Sequence, residues 1–134
     1  MFNLNKLLLY LDNLRPEVLD FTLDLAGRLS AKIFALYVVD ENLVRKKVKS
    51  ENKEREKVKE EMEEIAWQEL YQVEDLFSIK GIKISLLLFE GKVNKILREV
   101  MESYEIDLLV VSRNCQLNIG RFLEINKEKG VIVL

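Results

Sequence analysis

Two acidic residues follow the first two apolar runs of this chain, and they are the first candidates for chemistry. Asp12 comes directly after the unbroken run Leu7 to Leu11, and Asp40 comes after Ile33 to Val39. A run without polar alternation predicts a strand buried on both faces, and two such strands joined by a helix are parallel. In open parallel sheets, ligands bind beyond the carboxyl ends of the strands, where the winding reverses. Asp12 is therefore expected at the ligand crevice, if there is one.

The residue types that the chain lacks exclude several kinds of site. It has no histidine and a single cysteine, Cys115. Histidine is the commonest general base near pH 7 and the commonest metal ligand, so serine-histidine and cysteine-histidine hydrolases, histidine phosphorelays and histidine-based zinc sites are excluded. One cysteine gives neither an intramolecular disulfide nor a thiolate cluster, and no metal site is expected. Cys115 is either a sensing thiol favoured by Arg113 or, in the interpretation we prefer, a partly buried loop cysteine.

Length and composition predict one compact domain over residues 1–134. The chain has 134 residues, is 49% hydrophobic and 33% charged, and carries a net charge of -2. Because there is no overall positive field, a nucleic-acid partner is not expected. The longest apolar runs are far shorter than a membrane helix requires, so we expect a cytoplasmic protein without a membrane partner. Abundant Lys and Glu with few Gly and Pro resemble the surfaces of hyperthermophile proteins.

Apolar spacing predicts an alternation of strands and helices. Strands are predicted over 7–11, 33–39, 82–89, 108–111 and 131–134. Helices are predicted from Pro16 to about Leu29, from about Ser50 to about Ser78, from Val93 to Tyr104, and as a short helix within 112–129. Strands that alternate with helices give a three-layer α/β fold, a doubly wound open sheet with helices on both faces.

Two segments carry a resemblance to a known family. The first, Lys6 to Asp40, is a strand ending in Asp, a helix finishing in Ala-x-Arg-Leu, and a strand ending in Val-x-Asp. The second, Phe89 to Ser112, has a Glu-Gly turn, a helix containing Ile-Leu, and an Ile-Asp-Leu-Leu-Val-Val strand. Together they resemble the universal stress protein (UspA-like) family over nearly the full length. The resemblance implies five parallel strands in the order 3-2-1-4-5.

The resemblance also implies a candidate nucleotide site. In many members ATP binds with adenine near the backbone that Val38 matches, while the Asp matched by Asp12 helps to hold the nucleoside. Phosphates rest there on a Gly-x-x-Gly turn after the fourth strand and on a later Gly-Ser/Thr pair. Glycine is required because backbone N–H groups must approach phosphate closely, which a Cβ obstructs.

This chain departs from the phosphate part of that pattern. The turn reads Ser112-Arg113-Asn114-Cys115, and Ile125-Asn126 stands near the expected position of the later pair. The candidate site is therefore Asp12, Val38, Ser112 and Arg113, with the Ser112 hydroxyl and the Arg113 guanidinium in place of the glycines. The alternative is that Asp12 only caps or hydrogen-bonds the first loop.

Two functions follow from these observations. The preferred hypothesis is a non-enzymatic stress-response domain without a cofactor, which acts through contacts with an unknown protein partner. It would form a homodimer through the apolar edge Val131, Ile132, Val133 and Leu134, because an unpaired edge invites aggregation and family members often pair this strand. The alternative is an ATP-binding, slowly hydrolysing member with a rebuilt phosphate loop. Phosphatase chemistry is disfavoured, since Leu14 occupies the position of a required second Asp. Receiver chemistry is disfavoured because it needs paired acids at the first strand, whereas Tyr10 and Leu11 precede Asp12.

Overall fold

A computed structural model describes residues 4–115, 117–125 and 130–134 of the chain. Five strands form one sheet with the order β3-β2-β1-β4-β5, and all four strand pairs are parallel. The strands are β1 (Lys6–Tyr10), β2 (Lys32–Asp40), β3 (Ile84–Gly91), β4 (Leu108–Val111) and β5 (Gly130–Val133). The predicted fold class and strand order are confirmed.

In the part of the chain that the structure describes, five helices cover the two faces of this sheet. They are α1 (Pro16–Leu29), α2 (Glu41–Glu51), α3 (Arg55–Ile79), α4 (Val93–Ser103) and α5 (Ile119–Ile125). β1 shows why both faces must be covered: Leu7 and Leu9 belong to one core cluster, while Leu8 and Tyr10 belong to the other. Side chains alternate across a strand, so a fully apolar strand fills two cores at once.

Each core cluster pairs one face of the sheet with particular helices. On the first face, α1 and α3 contribute Val18, Ala26, Leu70 and Phe77, which are almost fully buried. On the second face, α4 and α5 contribute the buried side chains Leu97, Val100, Met101 and Phe122. A third, smaller cluster consists of Val39, Val44, Val58 and Met62, which join α2 to the end of β2 and the start of α3.

The segment after β2 differs from the sequence prediction. A single helix was predicted from about Ser50, whereas the chain forms α2 directly after β2 and begins α3 at Arg55. Asp40 caps α2 by accepting a hydrogen bond from the Asn42 backbone N–H at 3.0 Å. Asn52, with φ 51°, ends it in the left-handed conformation. Because α2 buries only Val44, its apolar pattern was too sparse to indicate a helix against so many charges.

Candidate functional site

Asp12 lies just beyond the end of β1, where the sequence placed it, and it lines a cavity of about 320 Å³. The cavity opens between the start of α1 and the middle of α3. Its polar lining comes from Asp12, Asn13, Glu69 and Gln72, and its apolar walls are Leu11, Leu14, Leu19 and Val73. None of these lining residues is basic, so the cavity presents two carboxyl groups and two amides.

The charge of Asp12 acts on Glu69, which lines the same cavity. Burial raises the pKa of Glu69, and the charge of Asp12 raises it further. Burial also raises the pKa of Tyr37, with Glu69 and then Asp12 as the next causes. Two carboxylates near one space disfavour a third negative charge, and a phosphate charge at about 4 Å would meet a repulsion of roughly 1–4 kcal/mol from each. The cavity is therefore electrostatically unfavourable for a phosphate.

Tyr10 connects Asp12 to the second face of the sheet. Its hydroxyl donates to Asp12 Oδ2 at 3.4 Å, which is a long hydrogen bond. Burial raises the pKa of Tyr10, followed by the charge of Asp12, so the phenol stays protonated and remains a donor. Part of the role of Asp12 is thus to accept this hydrogen bond at the end of the strand.

Val38 presents only its backbone to the crevice. Its side chain is 7% exposed and belongs to the core of the second face. The Lys32 N–H donates to the Asn5 carbonyl, and the Leu36 carbonyl accepts from Leu11, so alternate residues of β2 turn their backbone groups toward β1. By this alternation the Val38 carbonyl faces past the end of β1, on the side of Asp12. The Val38 carbonyl and Asp12 therefore lie at the same end of the sheet, and their role toward a nucleoside stays a prediction.

The turn that follows β4 is closed by its own hydrogen bonds. The Arg113 N–H donates to the Leu134 carbonyl at 2.8 Å, and the Cys115 N–H donates to the Ser112 carbonyl at 3.0 Å. The Asn114 N–H donates to Ser112 Oγ at 3.4 Å. Three consecutive backbone donors thus already have acceptors within the protein. A phosphate at this turn would have to break these bonds to gain its own.

Ser112 and Arg113 occupy different environments at this turn. Ser112 is fully buried, and its hydroxyl accepts from Asn114, so it serves the turn rather than the solvent. The Arg113 side chain is exposed. Asn13 joins this turn to the first loop, because its Nδ2 donates to the Asn114 carbonyl at 3.1 Å. The structure thus brings the loops that carry Asp12 and Ser112 together.

Cys115 has a thiol whose pKa is raised. It is partly buried, as expected. Burial raises the pKa of the Cys115 thiol and Asp12 adds to the rise, while a backbone hydrogen bond from Leu117 opposes it. A raised pKa disfavours the thiolate, so it does not support the alternative in which Arg113 favours the thiolate.

Sequence reasoning missed Glu69, Gln72 and Asn13 as site residues. Glu69 and Gln72 flank the buried stripe of α3, and the stripe alone does not show which of its turns lies at the carboxyl end of the sheet. An asparagine directly after the strand-end acid was the one available indication for Asn13, since asparagine tolerates positive φ and here adopts 53°. Asn126, near the expected second phosphate motif, lies outside the described residues.

The described part of the chain lacks both a metal-binding cluster and a membrane-spanning helix. Within it, no three side chains of the acidic, cysteine or histidine type are grouped so that they could hold a metal ion. Nor do the helices there include one with the length and apolar character needed to cross a bilayer.

Comparison with known proteins agrees with this architecture. A protein from the universal stress protein family of Burkholderia pseudomallei superposes with a TM-score of 0.77 at 17% identity, covering 98% of this chain and 96% of that chain. The Archaeoglobus fulgidus universal stress protein in complex with dAMP gives 0.65 at 14% identity, covering 99% and 98%. An Arabidopsis thaliana family protein with AMP bound gives 0.55 at 13% identity, covering 97% and 90%.

At such low identities the superpositions show the shared fold. No curated protein matches the chain. The sequence model of the universal stress protein family, however, matches residues 11–124, a range that includes Asp12 after β1, the turn after β4 and most of α5. Because this match spans most of the chain, the protein belongs to the universal stress protein family.

Proposed function

We propose that this chain is a non-enzymatic universal stress protein domain that acts as a homodimer through protein contacts and does not hold a triphosphate. The observation that carries the proposal is the closed turn after β4, where the N–H groups of Arg113, Asn114 and Cys115 already donate within the protein. The acids Asp12 and Glu69 add a repulsion that a polyphosphate would have to overcome.

A thermal shift series tests the absence of triphosphate binding. A ligand at a hundred times its dissociation constant stabilises a protein by about 2.7 kcal/mol, which is easily seen as a rise in Tm. We expect that millimolar ATP with magnesium will not raise the Tm above the value measured with tripolyphosphate at equal ionic strength. A rise with ATP that disappears in Asp12→Ala would contradict the proposal.

The homodimer is proposed at the open edge of β5. Leu134 exchanges hydrogen bonds with Val111 and Arg113, so by alternation Val131 and Val133 turn their backbone groups outward. The Val133 side chain is 40% exposed. Antiparallel pairing of this edge with a second copy would give hydrogen-bond partners to the outward backbone groups of Val131 and Val133, and it would form a closed two-fold assembly.

Sedimentation of a charged variant tests the dimer without deleting the strand. Val133→Asp places a carboxylate on each copy of the exposed edge and should convert the dimer to a monomer. Ile79→Asp is the matched control, because Ile79 is an exposed apolar residue on α3 and should leave the dimer intact. A wild-type chain that sediments as a monomer at micromolar concentration contradicts this part of the proposal.

A second candidate function is nucleotide binding in a different mode. The Val38 carbonyl and Asp12 retain the nucleoside half of the site, and family members of known structure are described with dAMP or AMP bound. In that case adenosine or AMP should raise the Tm more than ATP, because each added phosphate approaches the acids of the cavity. If adenosine, AMP and ATP shift the Tm equally, both in the wild type and in Glu69→Gln, this candidate function is contradicted.

A further inference from the structure

The outer edge of β3 is the longest open edge of the sheet. β3 pairs with β2 in one unbroken register over eight residues, from Ile33 opposite Ile84 to Asp40 opposite Gly91. Within the described residues, no strand pairs with its other side. By comparison, β5 at the opposite edge has four residues.

Backbone groups on this edge point outward at every second residue. The Lys83 carbonyl accepts from the Ile33 N–H, so Ser85, Leu87 and Phe89 also bond toward β2. The intervening residues therefore turn their N–H and C=O groups to the open side; these are Ile84, Leu86, Leu88 and Glu90. Four such residues form a template for one additional strand.

The central part of the edge, between its charged ends, lacks the features that usually prevent strand addition. Natural proteins protect edges with short strands, prolines, bulges or charged residues. The register of β3 shows no bulge, and the segment from Ile84 to Phe89 contains neither a proline nor a charge. Such an edge is prone to uncontrolled pairing unless something occupies it.

An apolar groove runs beside the edge on the second face of the sheet. The Phe89 side chain is 38% exposed and forms one wall of a cavity of about 280 Å³. Ile96, Val100 and Tyr104 of the α4 region form the other wall, with Glu99 and Ser103 as its polar residues. Alternate side chains of an added strand would point into this groove, which would give such pairing specificity for apolar residues.

The ends of this edge are basic although the whole chain is acidic. Lys83 is exposed at one end, and Lys92 is exposed at the other. Glu90 is held by two cations, Arg55 Nη2 at 2.6 Å and Lys59 Nζ at 2.9 Å, and Lys59 also lies 3.9 Å from Glu63 Oε1, so this cluster is neutral and leaves the charges of Lys83 and Lys92 uncompensated by it. A segment with acidic residues at both ends is therefore complementary to the edge.

We propose that β3 and its groove, named here the β3 docking edge, bind an extended segment of a partner protein as a sixth strand, with alternating apolar residues between acidic ends. The choice of a different protein rests on the proposed homodimer at β5. Two-fold pairing at both edges would link copies into an endless fibre, so β3 cannot also be a self-pairing edge in a discrete dimer. The basic ends would also repel each other in an antiparallel self-pair.

Labelled synthetic peptides test this proposal on the full chain by fluorescence anisotropy. The probe has an alternating Val-Thr core between pairs of aspartates, and its counterpart has lysines instead of aspartates. We expect the aspartate form to bind at least about tenfold more tightly, and the difference to shrink at high salt. Equal affinity of the two peptides would overturn the assigned partner chemistry.

Backbone methylation of the probe tests the pairing mode without altering the protein. One probe is N-methylated at its odd residues and another at its even residues. In strand addition only one set of amides faces β3, so one methylated probe should lose binding and the other should keep it. If both bind as well as the unmodified probe, strand addition is wrong.

Two phenylalanine variants locate the binding surface. Phe89→Ser removes a wall of the groove and should weaken binding about tenfold or more. Phe21→Ser is the control, since Phe21 is 40% exposed on α1, and it should bind the probe as the wild type does. Equal weakening by both variants would overturn the location.

A change of oligomeric state distinguishes this proposal from the one concerning β5. Loss of self-association in Phe89→Ser without peptide would mean that a second copy occupies β3, which contradicts the inference. If Val133→Asp is monomeric and still binds the aspartate probe, both proposals are supported. If the wild type is a monomer and yet binds the probe at Phe89, the β5 dimer fails while strand addition at β3 stands.

Discussion

The Arg113 backbone N–H lies 2.8 Å from the Leu134 carbonyl oxygen and donates to it. This bond extends the pairing of β4 and β5 by one residue into the turn where family members that bind ATP are expected to place phosphates. The amide of Arg113 therefore belongs to the sheet rather than to the crevice. Replacing side chains at this turn would not release it, because the bond is between two backbone groups.

The link between the two crevice loops can be tested at Asn13. Its side chain donates to the Asn114 carbonyl, and its φ is 53°. Both Asn13→Gly and Asn13→Ala lose the hydrogen bond, but alanine keeps a Cβ in the left-handed region without the polar side chain that lets asparagine tolerate it, whereas glycine removes the Cβ. We expect both to lower the free energy of unfolding, and the alanine variant to be about 1 kcal/mol less stable than the glycine variant. Urea unfolding followed by the single tryptophan, Trp67, measures this difference, and equal stability would contradict the positive φ.

The pH dependence of stability should report Glu69. Its pKa in the folded chain is raised above the ordinary value of 4.5, mainly by burial and then by Asp12. The folded state therefore holds this proton more tightly than the unfolded state, and stability falls as the pH rises from 4.5 through the folded pKa. Glu69→Gln should be more stable than the wild type at neutral pH and lose that advantage below pH 4.5.

The second variant for this prediction is Asp12→Asn. Because the charge of Asp12 is the smaller of the two causes, this variant should reduce the pH dependence due to Glu69 without abolishing it. Stability curves measured by urea unfolding from pH 4 to pH 8 make the comparison. If the difference in the free energy of unfolding between Glu69→Gln and the wild type is constant over this range, the raised pKa of Glu69 is wrong.

Alkylation kinetics should show that Cys115 is a slow thiol. Its pKa is raised by burial and by Asp12, so the thiolate fraction near pH 7 is below that of free glutathione. We expect iodoacetamide to react with folded Cys115 more slowly than with glutathione, and faster in Asp12→Asn than in the wild type. Reaction of the urea-unfolded chain provides the reference rate. A folded rate above that of glutathione at pH 7 would indicate an activated thiolate instead.

Two glycine-to-alanine variants should change stability in opposite directions. Gly91 has φ +155°, and a Cβ there would lie 3.2 Å from Ile96 Cδ1, so Gly91→Ala should cost about 1–3 kcal/mol. Gly27 lies near the end of α1 with nothing within 4 Å of an added Cβ. Gly27→Ala should stabilise the chain by about 0.5–1 kcal/mol, because alanine favours the helix. Thermal unfolding measures the Tm of both variants. Tm shifts of the same sign in the two variants would contradict the assigned conformations.

The strands were predictable from sequence because their hydrophobicity is nearly complete. β1 and β4 are buried on both faces, and a short apolar run such as Leu108 to Val111 between polar residues has the length typical of a buried strand. The start of β3 was predicted less accurately, because the strand begins at Ile84 and not at 82. Lys83 lies between two apolar residues, so the alternating pattern extends beyond the start of the strand.

The candidate site was only partly predictable. Asp12 follows its strand directly, so its position needs no tertiary information. Glu69 depends on how far along the sheet α3 lies, which is fixed by the turn at Asn52 and by the packing of Leu70 and Phe77. The closed turn at Ser112 depends on backbone hydrogen bonds that residue types alone do not specify.

The small cluster of Val39, Val44, Val58 and Met62 lies apart from the two main cores. Helix α2 has one fully buried residue, Val44, while Leu43 and Val48 pack against the cluster only partly buried, and Asp40 caps its start. A segment held this weakly can detach while the sheet stays intact. Amide protons of α2 should exchange with deuterium long before those of β1, and proteases should cut first between Glu41 and Asn52.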